Sequence, residues 1–262
     1  MPPPRRVRSL ADAAAFVERS GIALVFPKAD VVLPSLWEAI AGSTEVEWAE
    51  RDEEDRFVEF TPDFERIWRW KDELPAHRLA CAGQHGARPI SLLAPELVGA
   101  LYALTGLPGR SDDFRSLDDL TSLGREVAEA ALELGHVTRP QLRRLVGADK
   151  RRVDRAVEAL ERRLVLTNVG VDDSEPGWPA VEVDLLPRHW RTRLRRLPAR
   201  DHAALELARR VLASADELSA ADLAAALGWR RGEAARTLDE LAERGESDVR
   251  DEDGLRLWTR RD

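Results

Sequence analysis

The stretch from His136 to Arg163, HVTRPQLRRLVGADKRRVDRAVEALERR, constrains the fold more than any other part of the chain. Its second half puts Val153, Ala156, Val157 and Leu160 at helical spacing, so they form one apolar stripe. With residues about 100° apart around a helix, Arg151, Arg155, Glu158 and Arg162 fall on the opposite side, flanked by Lys150 and Arg152. Gly147 lies in a turn between this helix and a shorter one before it. A short helix, a glycine-containing turn and a second helix with a cationic outer face make a helix-turn-helix pattern. Leu164 to Val169 is then β-rich and Val181 to Leu186 alternates, with DDSEPGWPA carrying turn residues between them. A preceding helix, Ser122 to Leu134, turns Val127, Ala130, Ala131 and Leu134 inward. The order helix, helix, turn, helix, hairpin predicts a winged helix.

The pattern recurs. Shifting the chain by 81 residues without a gap sets Val137 on Leu218, Thr138 on Ser219, Leu142 on Leu223, Gly147 on Gly228, Arg155 on Arg236 and Leu160 on Leu241. Both copies therefore predict the same core, and SDVRDEDGLRLWTRRD supplies a second small wing around an Asp-Gly turn.

Upstream, Ser9 and Asp12 have capping-box spacing ahead of a helix to Ser20, with Leu10, Ala13, Ala14 and Val17 apolar, and Gly21 ends it. Ile22 to Phe26 reads as a strand or a buried loop, and Leu33 to Ile40 as a helix start with Ser35 as cap. Glu45 to Glu59 is acidic and reads as a solvated loop. Thr61 caps a helix, Pro62 to Leu74, with Phe64, Ile67 and Trp68 on one face and Pro75 as its stop. Arg78 to Ala82 and Pro89 to Leu93 pair as a hairpin, Pro95 to Leu104 is a connecting helix, and Pro187 to Pro198 a basic connector with Trp190. The expected class is mainly α with small β-hairpin wings (α+β), as tandem winged-helix domains. A degenerate one with its connecting helix spans 1–110, one with the basic helix spans 111–198, and a third spans 199–262.

Charge weighs against a polyanionic partner, since the net charge is −8. Its distribution matters more, because screening removes remote charge within about 10 Å. Lys plus Arg against Asp plus Glu is 13 to 17 in 1–110, 16 to 16 in 111–198 and 11 to 15 in 199–262. The neutral middle segment bunches Arg139, Arg143, Arg144, Lys150, Arg151, Arg152 and Arg155 against Asp149 and Asp154. Cys81 is the only cysteine, which excludes an intrachain disulfide and a cysteine-paired zinc site. His77, His85, His136, His189 and His202 have no metal-ligand spacing, and no P-loop, dinucleotide or nucleophile-elbow motif occurs. No metal and no cofactor is expected. MPPPRRVRSL has no apolar core after its charges and no run reaches membrane length, so the expectation is a cytoplasmic protein without membrane contact.

With PSLWEAI followed by IWRWKDEL ahead of two winged-helix patterns, the chain resembles the AlkZ-like winged-helix proteins, which include bacterial DNA glycosylases acting on alkylated or crosslinked purines. The resemblance implies three winged-helix units curved around duplex DNA. Active members carry a Gln-x-Gln pair in the first unit, whereas this chain has only Gln84 and Gln141, so no catalytic residue is carried over.

The candidate DNA-binding residues are Arg143, Arg144, Lys150, Arg151, Arg152, Arg155 and Arg162, with Trp178 at the wing tip. The bland alternative pairs Arg155 or Arg162 with Glu158 across a helical turn, and makes Trp178 a pin for the hairpin. Trp37, Trp68, Trp70 and Glu38 are weighed as the walls of a base pocket against an ordinary core role. In the later copy the equivalent face is Gly232, Arg236, Asp239 and Glu243, which repels phosphate. The leading expectation is non-catalytic binding of double-stranded DNA. Its alternatives are a glycosylase with a replaced active site, and a protein-interaction scaffold or homodimer using the C-terminal domain.

Overall fold

In the computed structural model, residues 7–86, 89–174, 178–252 and 254–261 are described. Met1 to Arg6, Ala87 and Arg88, Glu175 to Gly177 of DDSEPGWPA, Asp253 of the Asp-Gly pair read as a turn, and Asp262 lie outside them.

The first third contains α1 (Leu10–Ser20), β1 (Ile22–Leu24), α2 (Leu36–Ala41), β2 (Ala49–Arg51), β3 (Phe57–Phe60), α3 (Pro62–Ala76), β4 (Cys81–Gly83), β5 (Ser91–Leu93) and α4 (Val98–Ala103). Capping boxes start α1 at Ser9 with Asp12 and α2 at Ser35 with Glu38, and the Thr61 hydroxyl caps α3. Three readings need correction. The acidic stretch 45–59 is not a plain loop: β2 and β3 pair, because Trp48, Phe57 and Phe60 cluster and Asp52 closes the turn by accepting from the Glu54 and Arg56 amides. Pro75 does not stop α3, which runs to Ala76, since a proline in the last turn forfeits a single hydrogen bond. The buried face of α3 is Ile67, Trp70 and Leu74, whereas Trp68 points to solvent and stacks on Phe64, four residues back.

The remaining chain repeats one order of elements. The middle copy is α5 (Ser122–Leu134), β6 (Val137–Thr138), α6 (Arg139–Val146), α7 (Lys150–Arg162), β7 (Leu166–Asp172) and β8 (Ala180–Leu185), followed by the short α8 (Leu186–His189). The last copy is α9 (Arg200–Ala213), β9 (Leu218–Ser219), α10 (Ala220–Leu227), α11 (Arg231–Glu243), β10 (Ser247–Glu252) and β11 (Leu255–Arg260). In both, the two-residue strand pairs antiparallel with the second hairpin strand, through Val137↔Val183 and Leu218↔Trp258. Both start the next helix with a capping box, Thr138 with Gln141 and Ser219 with Asp222, and end it on a left-handed glycine, Gly147 or Gly228.

The two glycines differ in surroundings. A Cβ on Gly147 meets nothing within 4 Å, but on Gly228 it falls 2.9 Å from the Gly86 carbonyl oxygen. Gly147→Ala is expected to cost about 1–2 kcal/mol, the left-handed penalty alone. Gly228→Ala adds a backbone clash and should cost more, as urea midpoints of the two variants will show.

Packing then departs from a row of separate units. The first hairpin joins the middle one through the bridge Ala82↔Asn168, which builds a six-stranded antiparallel sheet in the order β1-β5-β4-β7-β8-β6. The last copy keeps its own three-stranded sheet but shares one apolar core with the first third, while Phe114, Val127, Leu142, Val153, Val157, Leu160 and Leu185 belong to the separate core of the middle copy. The result is a mixed helix and sheet chain with small antiparallel sheets. Among the described residues, no helix is long and apolar enough to cross a membrane.

Candidate nucleic-acid interface

The Asp149 carboxylate starts α7 by accepting from the Arg152 amide at 3.0 Å. Its buried side is Val153, Ala156, Val157 and Leu160, the stripe read from the sequence, with Glu161 added. That leaves Lys150, Arg151, Arg152 and Arg155 exposed, with Arg144 exposed and Arg143 half-buried on α6. None of these six forms an ion pair with a described residue, and no pairing of Arg155 or Arg162 with Glu158 occurs there. Arg162 stands apart from the set, because its Nη1 donates to the Gln84 side-chain oxygen at 2.8 Å.

The other cations of this region are committed to structure. Arg139 lies 3.5 Å from Asp154 and 3.4 Å from Glu161, and Arg163 pairs with Asp119. Glu161 is 2% exposed and also accepts from the Gln84 amide at 3.2 Å, which ties α7 to the first third. Burial raises its pKa, with Arg139 opposing. Gln141 caps α6, so both glutamines of the chain have structural partners.

A cleft of about 680 Å³ opens between α3 and the β7–β8 hairpin, with Trp68, Lys71, Asp72, His136, Trp178 and Glu182 among its walls. Trp178 is 69% exposed and meets Trp68 and Phe60 edge to face at centroid distances of 6.1 and 5.8 Å. It thus extends a ladder in which Phe60, Phe64 and Trp68 stack in sequence. Lys71 holds Asp72 at 2.7 Å and lies 4.2 Å over the Trp68 ring. The pair is mostly withdrawn from solvent, and burial raises the Asp72 pKa against the opposing Lys71 charge.

The pocket reading of Trp37, Trp68, Trp70 and Glu38 is overturned for three of the four. Trp37 and Trp70 are core residues, and Glu38 is occupied with the Ser35 amide and hydroxyl at 3.0 and 2.6 Å. Only Trp68 reaches the cleft, and its partner there is Trp178.

Sequence reasoning missed a cluster at the back of this cleft. His136 Nε2 lies 3.7 Å from Asp184 Oδ2 and its Nδ1 4.0 Å from Glu182, while the His136 and His189 rings are 6.3 Å apart. His189 is buried, and burial foremost, then the Arg78 charge, pushes its pKa down to about 4 against a weaker opposing pull from the Pro75 carbonyl. It is neutral at physiological pH. The one signal in the sequence was the alternation of VEVDLL, which puts Glu182 and Asp184 on one side of β8.

The site thus sets the cation-faced helix α7 near an antiparallel hairpin that walls an aromatic cleft. The chain belongs to the AlkZ-related family, whose model matches residues 7–228. The fold is similar to that of the Streptomyces sahachiroi DNA glycosylase AlkZ, with TM-score 0.57 and 17% identity over 98% of this chain and 66% of that one. The chain therefore spans less than two thirds of that enzyme's length. A solved structure of the DIP2311 protein of Corynebacterium diphtheriae matches at 16% identity over 78% of this chain and 40% of that one, but its TM-score of 0.23 carries no weight. No curated protein matches.

Proposed function

We propose that the protein binds double-stranded DNA through tandem winged helices, one in 111–198 and one in 199–262, with a degenerate unit in 1–110. The middle unit makes the main contact. The observation that carries this reading is the row of six cations on α6 and α7 without acidic partners among the described residues. Elsewhere Arg115 is neutralised by Glu129 and Arg209 by Glu246, while Arg191, Arg193, Arg195 and Arg196 are likewise exposed without an acidic partner among the described residues. Lys150, Arg151, Arg152 and Arg155, with Arg143 and Arg144, would meet groove and phosphates, while Arg162 holds the first unit and Trp178 serves the cleft. The α11 face is the weaker candidate, because it carries Asp239, paired with Arg256 at 2.9 Å, and Glu243, and Arg236 donates to the Gly232 carbonyl at 3.2 Å. The test is duplex affinity against salt concentration, which should fall steeply.

A second reading, base excision by a site unlike Gln-x-Gln, is favoured by the cleft itself. Aromatic walls suit stacking on an extruded base, and the largely desolvated Asp72 carboxyl group suits proton transfer. If the cleft excises bases, alkylated duplex followed by alkali will show strand breaks, and Asp72→Asn will lower their rate by about 10²–10⁴. Breaks at background level for the unaltered protein leave binding as the whole function.

A further inference from the structure

We infer that His136, Asp184 and His189 form a binding site for a divalent d-block cation, zinc being the natural occupant. One ligand atom from each residue lies within 4.8 Å of the others, and the His136 to Asp184 separation of 3.7 Å is near the roughly 3.3 Å between ligand atoms around tetrahedral zinc. Two imidazoles and one carboxylate suit zinc or its d-block neighbours better than magnesium or calcium, which prefer oxygen.

Three features beyond proximity point to a cation. His189 is 7% exposed, yet neither ring nitrogen makes a hydrogen bond of normal geometry, an expense that a coordinate bond removes. His136 turns Nε2 toward Asp184 at 3.7 Å and Nδ1 toward Glu182 at 4.0 Å, so one nitrogen faces the proposed site and the other a nearby carboxylate. Asp184 is held in place by an ion pair with Arg188: Oδ1 accepts from the Leu185 amide at 2.6 Å and from Arg188 Nε at 2.8 Å, and Oδ2, which faces His136, also accepts from Arg188 Nε at 3.1 Å. Arg188 is itself anchored by the Ala131 and Leu132 carbonyls at 2.5 and 3.0 Å.

The site stems from strand register. Val137↔Val183 and Thr138↔Glu182 set His136 across from Asp184, and α8 brings His189 in directly behind β8. His136 and Glu182 also line the cleft, so the position left by three protein ligands opens toward it for water or a ligand donor. The site requires no DNA, and its test is independent of the proposed function.

The experiment titrates the full chain with cobalt(II) chloride, reading visible ligand-field absorption, and then displaces the cobalt with zinc chloride. One cobalt per chain is expected, with full displacement by zinc. Glu182→Gln, which removes the carboxylate 4.0 Å from His136 Nδ1, should weaken binding by no more than about tenfold. His136→Ala, at a half-exposed side chain that the fold tolerates, should weaken it further. His189→Asn, checked for folding by circular dichroism, should abolish the absorption. Absence of saturable absorption in the unaltered protein, or undiminished binding by His136→Ala, overturns the assignment.

Discussion

Exchanging Arg151 and Arg155 together for glutamate is expected to weaken duplex binding by at least about a hundredfold at 0.1 M salt. Each residue loses an attractive contact of about 1–3 kcal/mol, and each 1.4 kcal/mol is a factor of ten. Each also gains a repelling charge. Both side chains are exposed and have no ion pair with a described residue, so the change removes no internal contact and the fold should be unaffected. The slope of log affinity against log salt should become shallower by about 0.9 for each phosphate contact removed. Arg236→Glu, at the position 81 residues later, is the matched control, and should leave affinity within a few fold. Electrophoretic mobility shift or fluorescence anisotropy at several salt concentrations reads both quantities.

The second large effect concerns stability. Arg139→Ala leaves Glu161, 2% exposed, with the Gln84 amide but without its cation, and should destabilise the protein by about 3–5 kcal/mol at neutral pH. The sign of its pH dependence follows from the direction of the Glu161 shift. A carboxyl whose pKa is raised on folding contributes stability that is full below its ordinary value of 4.5 and is lost as pH rises through the folded value. In the variant the opposing Arg139 charge is gone, the folded value climbs further, and the loss grows. The variant and the parent should therefore differ most at neutral pH and converge toward pH 4. Adding Glu161→Gln to the variant should recover part of the stability at neutral pH and remove that convergence. Urea unfolding at several pH values measures it.

How far the sequence carried the reading depended on the range of the interactions involved. The capping boxes at Ser9 and Ser35, the apolar stripe of α7 and the alignment of Gly147 on Gly228 are local, and each has the geometry its spacing implied. The six-stranded sheet was not legible, because a single bridge between Ala82 and Asn168 joins segments 86 residues apart and no periodicity records it. For the same reason Arg162, read as an outward cation, turns out to hold Gln84, and Glu161 is a buried link to the first third. Trp70 took the core place assigned to Trp68, since the spacing of Ile67, Trp70 and Leu74 fits one helical stripe as well as that of Phe64, Ile67 and Trp68. His136, Asp184 and His189 come from a strand start, a strand and a helix, and only the register Val137↔Val183 unites them.

A photo-crosslinking amino acid tests the central claim most directly when placed at position 155 in one variant and at 236 in another, each irradiated with labelled duplex. Attachment of the middle-unit cations to DNA predicts strong crosslinking from 155 and little from 236. Equal yields, or crosslinking from 236 alone, would contradict it.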